Sequence, residues 1–181
     1  MVIEALNDED QGAVRSAVEA AGMLGRHASS AAPELERLME AATPGEASSR
    51  HMTVRGRYDA HLEAAGALAR VSDEPHDAAV AALVWCVQNG ELQSVQRALE
   101  HLEALGERGK SASDNLMAAL TYPDLGRPPV APAVAATSPE LLPELMEWLM
   151  EWSASDVQLA AWSADRELFA LSQRWGDAPA M

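Results

Sequence analysis

Aromatic residues make up only 4% of this 181-residue chain, with one Phe and two Tyr. Strands draw on aromatic and β-branched side chains, whereas Ala, Leu, Glu and Met dominate here, so few segments can alternate as strands. Cysteine is almost missing: Cys86 stands alone, which excludes an intramolecular disulfide and a cysteine-cluster metal site. Cations are scarce as well, 13 Lys and Arg against 28 Asp and Glu, for a formal net charge of −15. Such a balance disfavours nucleic-acid backbones and anionic membrane surfaces, both of which need clustered Lys and Arg, and favours a basic protein partner. No long hydrophobic run exists either; the longest, Ala78 to Val87, has ten residues, half of what a membrane span needs. The opening Met1-Val2-Ile3-Glu4 carries no basic region or apolar stretch of a signal peptide, and a cytoplasmic location is expected.

What the chain has is internal repetition. Glu19-Ala20-Ala21-Gly22-Met23-Leu24-Gly25-Arg26 and Glu63-Ala64-Ala65-Gly66-Ala67-Leu68-Ala69-Arg70 match at six of eight positions, 44 residues apart. A degraded third copy starts at Glu100, a further 37 residues on, and keeps Leu105-Gly106. Intervals of this size mark stacked helical pairs.

The periodicity fills in the pairs. Asn7 to Asp10 caps a helix bearing Val14, Ala17, Val18, Ala21 and Leu24 on one face, and Pro33 opens its shorter partner with Leu35, Leu38 and Met39. The second pair runs through Tyr58, Leu62, Ala65 and Leu68, then from Pro75 to Gln88. The third runs from Leu92 to Leu105, then Ser111 to Leu120. Small residues at Gly22, Gly25, Gly66, Ala69 and Gly106 mark expected close crossings of paired helices. Between Tyr122 and Ser138, Pro123, Pro128, Pro129 and Pro132 predict an extended strap. Ser138-Pro139 then starts a helix through Trp152, and Ser155 or Asp156 starts a last one through Trp175.

These residues resemble the HEAT-repeat family, whose bacterial form sets an acidic turn before V-R-x-x-A-x-x-A-x-x-L-G; here Asp8 to Gly25 reads that way, with Val14-Arg15 at the opening. The resemblance covers residues 1 to about 120, strong in the first unit and weak in the third. It implies a short right-handed α-solenoid of antiparallel helix pairs, all-α, with an atypical C-terminal helical pair that closes the stack. One domain is expected, with repeats over 1–121, a Pro-rich connection over 122–137 and the C-terminal pair over 138–176.

No reactive constellation stands out. Ala104 to Ser111 satisfies the loosest P-loop pattern, yet a helix rather than a strand leads into it. His61-Leu62-Glu63 and His101-Leu102-Glu103 invite comparison with the HEAT-like deoxyhypusine hydroxylase, whose His-Glu dyads hold iron. Residues two apart on a helix point about 200° from one another, so His and Glu of one triplet cannot share a metal. The triplets also sit at different places in the repeat. Cys86 lies in an apolar run where a thiol is inert packing, and His27 and His76 stand near helix ends, where terminal carbonyls are the expected partners. HEAT-like folds also include alkylpurine DNA glycosylases and bilin lyases, but the former need a basic groove that this chain lacks.

Recognition surfaces are better supported. Arg50, Arg55 and Arg57, with His51, form the one basic cluster of an acidic chain, and Trp148, Trp152, Trp162 and Trp175 gather in the last two helices, where they serve either as core or as contact anchors. The leading expectation is a non-enzymatic protein-interaction module, without cofactor or metal, that recognises its partner through an acidic helical-repeat surface, with Arg50, Arg55, Arg57, Trp148, Trp152 and Trp162 as candidate partner contacts. An acidic immunity protein that neutralises a basic toxin or nuclease is the alternative, and a metal-dependent enzyme comes third. A homodimer through the C-terminal helices is left open, as is whether the chain is whole or a segment.

Overall fold

The computed structural model describes residues 2–41, 54–120 and 128–175, the side chains at 54–58 and 175 excepted. Among them every regular element is helical, and the fold is the all-α helical-repeat class expected. The chain divides into two compact units, Met1–His101 and Leu102–Met181.

In the first unit α1 (Val2–Leu6) and α2 (Gln11–Leu24) are joined by the acidic turn, where Asp10 accepts from the Gly12 amide at 2.9 Å and caps α2. A 3₁₀ segment, Gly25–Ala31, leads into α3 (Ala32–Ala41). Then come α4 (Val54–Val71), α5 (Asp77–Asn89) and the first turns of α6 (Leu92–Leu105). Helix α4 is central, packed on α2, α3 and α5. Its Leu62, Leu68 and Val71 are fully buried, as are Leu35 of α3 and Leu83 of α5. Each such Leu contributes roughly 1.5–3 kcal/mol of burial.

Two of the small residues expected at crossings do different work. Gly25 and Gly106 sit at φ of 53° and 56°, so both end a helix by turning into the left-handed region that favours glycine, and each opens a 3₁₀ segment. The second repeat has Ala69 at the corresponding place, and there α4 stays helical to Val71.

The second unit holds the end of α6, the 3₁₀ segment Gly106–Ala112, α7 (Ser113–Leu120), α8 (Ala131–Thr137), the 3₁₀ turn Pro139–Leu141, α9 (Leu142–Ser153) and α10 (Gln158–Trp175). Residues 131–137 correct the extended strap expected for the Pro-rich stretch. Pro132 lies in the first turn of α8, where a helix needs no amide donor from it, so the proline begins the helix instead of preventing it. Helix α8 is buried along nearly its whole length and packs on α7, α9, α10 and the Gly106–Ala112 segment. Glycine in that segment permits the approach: a methyl group on Gly109 would lie 2.9 Å from Thr137 Cγ2 of α8.

Candidate functional site

The repeated phrase builds a cleft in the first unit. Val18, Glu19, Gly22 and Met23 of α2 face Glu63, Ala67 and Arg70 of α4, and His101 of α6 completes the lining of a pocket of about 220 Å³. All three copies of the phrase contribute a residue. At Gly22 a methyl group would lie 3.5 Å from Ala67 Cα, an ordinary van der Waals contact, so α2 and α4 pass close together there. Gly66 matters more: the His101 imidazole lies over its Cα, and a methyl group would meet the ring atoms at 2.6 Å. Only glycine leaves room for the ring in this position.

Charge in the cleft is unevenly matched. Glu63 forms an ion pair with Arg97, which also lies 3.9 Å from Asp59, and the second Glu63 oxygen is 3.6 Å from His101 Nε2. Glu19 has Arg15 at 3.5 Å along the same helix. Arg70 has no ion pair among the described residues, although it is half-buried and burial lowers its pKa. A guanidinium stays charged regardless. His101 is pulled down to about 4, first by desolvation and then by Arg70 and Arg97, so the imidazole is neutral at pH 7. Its Nδ1 is buried without a hydrogen-bond partner. Unsatisfied buried nitrogens of this kind are uncommon.

The His-Glu triplets therefore meet in a way the sequence argument discounted. Glu63 of one triplet reaches His101 of the other, while His61 turns away, its Nδ1 2.9 Å from the Met39 carbonyl. No group of three metal-binding side chains exists among the described residues. Cys86 is fully buried and its thiol is pushed up to about 12 by burial and by Asp59, which matches inert packing. His76 corrects its expected role: it caps the start of α5, its Nδ1 accepting from the Ala79 amide at 3.3 Å, and so serves amides instead of carbonyls.

Of the predicted contact residues, Arg50 lies outside the described residues, as do the side chains of Arg55 and Arg57. Trp148 and Trp152 are half-buried on α9, their rings 4.3 Å apart and tilted by 35°. Trp162 on α10 is 55% exposed. Arg70, Arg97 and the Glu63–His101 contact were missed. Their signal was present in the repeat, since Glu63 and Arg70 occupy the first and last places of the phrase and face the same cleft as Glu19.

No family model and no curated sequence matches the chain. A solved structure does: the complex of CpcE and CpcF of phycocyanin lyase from Nostoc sp. PCC7120, with a TM-score of 0.55 and 22% identity. The match covers 95% of this chain and 64% of that one, so the present chain spans less than two thirds of the neighbour's length. It establishes a shared fold. It also overturns the expectation of a non-enzymatic protein, which rested on finding no reactive constellation in the sequence. The neighbour is an enzyme on this same helical scaffold, so the absence of such motifs does not argue against catalysis here.

Proposed function

We propose that this chain is a HEAT-like subunit of a lyase-type enzyme that works as a pair of proteins. The observation that supports this reading is the fold shared over 95% of the chain with a complex of two lyase proteins. A second feature fits a pair. On α10, Leu159, Trp162 and Phe169 fall on one helical face and are 45%, 55% and 65% exposed, an apolar stripe in a strongly charged protein. Trp is the side chain most enriched among residues that dominate binding energy, so Trp162 with Phe169 is the proposed anchor for the partner. The stacked Trp148 and Trp152, and the basic cluster Arg50, Arg55 and Arg57, stay as secondary contacts in the proposal. No geometry among the described residues favours the toxin-neutralising alternative.

The test is the native assembly. Gentle purification followed by native mass spectrometry is expected to give a one-to-one species with a second helical-repeat protein, and replacing both Trp162 and Phe169 with Ala should shift it towards free chain. Recovery of monomer or homo-oligomer alone would sink the proposal.

A further inference from the structure

We propose that the cleft between α2 and α4 binds a small carboxylate, whose charged end meets Arg70 and whose apolar body lies along Val18, Ala67 and Met23. This rests on the cleft itself and is independent of the lyase reading. Two observations lead to it. Arg70 lines the pocket, half-buried, with no carboxylate of the described residues in ion-pair range. The two carboxylates that share the lining each have a cation beside them, Arg15 for Glu19 and Arg97 for Glu63, which leaves Arg70 as the lining cation with no ion pair among the described residues. A partly desolvated guanidinium without a counter-ion is a fork of donors aimed at a planar acid.

The protein's overall charge of −15 does not reverse this. Exposed charges farther than about 8 Å are screened at physiological salt, so the cleft's own groups decide what enters. His101 lines the same pocket, so its imidazole lies close enough to report on what enters the cleft. Val18, Gly22 and Ala67 give the lining its apolar part beside Glu19 and Glu63, and Met23, 86% exposed, is a flexible side chain able to fold over a ring. A volume of about 220 Å³ lies below the usual range for drug-sized ligands, which limits the occupant to a small acid.

Sodium benzoate is the probe, with benzamide as its uncharged twin, and the readout is the His101 imidazole resonance in the full chain. Benzoate is expected to shift that resonance saturably, with benzamide and the Arg70→Met variant at least about tenfold weaker. Arg70→Lys, which keeps the charge and loses the fork, should fall between. Benzamide binding as well as benzoate, an unchanged affinity in Arg70→Met, or a shift that never saturates would each overturn the proposal. N-acetyl-aspartate methylamide carries the same acid on a peptide backbone; its binding more tightly than benzoate would assign the site to a partner's side chain and overturn the small-molecule assignment. Circular dichroism of each variant confirms that the fold is retained before affinities are compared.

Discussion

Each unit is arranged around one central helix, and the two helices differ in what they ask of their neighbours. Helix α4 has 18 residues and α8 has seven. Nucleating a helix is unfavourable and each added residue repays little, so a seven-residue helix depends on tertiary support far more than an 18-residue one. In the second unit the buried polar groups supply that support. Glu167, 4% exposed, accepts from the amides of Val130 and Ala131 at 2.8 Å each and so closes the start of α8. At the other end Thr137 Oγ1 donates to the Ala133 carbonyl, and Ser138 shares a hydrogen bond with Ser113. In the first unit α4 has one comparable bond, Ser72 Oγ donating to the Leu68 carbonyl at 2.7 Å, and its polar residues Glu63 and Arg70 line an open cleft. Polar groups committed to holding backbone are unavailable to a ligand; those that are not mark where function can reside.

The largest test of this contrast is Glu167→Ala. Two buried amides lose their acceptor, each worth roughly 1–3 kcal/mol, so unfolding in urea should show a loss of about 4 kcal/mol. Glu167→Gln retains an acceptor oxygen and should lose less than half of that. A loss below about 1 kcal/mol for the alanine variant would show that α8 holds its own start, and the contrast would collapse.

Most of the helices were legible in the sequence because apolar residues recur at three- and four-residue spacing and because Asp10 and the glycines mark ends. Helix α8 was not, since prolines read as breakers until one knows that Pro132 falls in the first turn. The repeated phrase announced two helices of one kind but not that Gly66 would shelter His101, a contact between residues 35 positions apart that depends on how α6 lies on α4. Likewise the absence of an ion pair at Arg70 among the described residues emerges only after those of Glu19 and Glu63 are placed. Spacing reports which face a residue shares; it does not report which charges remain unmatched.

Acid should separate the units. His101 titrates at 6.5 when unfolded and near 4 when folded, so between those values the unfolded chain binds a proton that the folded chain refuses. Stability is therefore full above 6.5, falls with pH through that window and levels off below about 4, a contribution on the order of 3 kcal/mol. His61, lowered by burial despite the Met39 carbonyl, adds the same sign. Glu167 runs the other way: desolvation raises its pKa against the pull of the Val130 and Ala131 amides and Arg166, so its contribution is full below 4.5 and is lost as pH rises through the folded value. Urea midpoints measured across this range should give a flatter profile for His101→Leu and a steeper one for Glu167→Gln. Equal slopes in all three proteins would mean that neither buried group governs its unit.

The smallest effect is expected where the geometry looks strongest. Lys110 and Glu140 form a close ion pair in the second unit, and each shifts the other's pKa in the direction of the charged form. Yet the side chains are 66% and 50% exposed, so water and salt screen the attraction, and holding two long side chains together costs entropy of similar size. Lys110→Ala should leave the urea midpoint unchanged within error, at low salt and at high salt alike. Glu167 and Glu140 are both carboxylates in hydrogen bonds of the same unit, but Glu167 is buried on two backbone amides while Glu140 meets a lysine side chain in water. A Lys110→Ala loss approaching that of Glu167→Ala would show that proximity rather than desolvation ranks these interactions, and the argument for an unmatched, half-buried Arg70 would weaken with it.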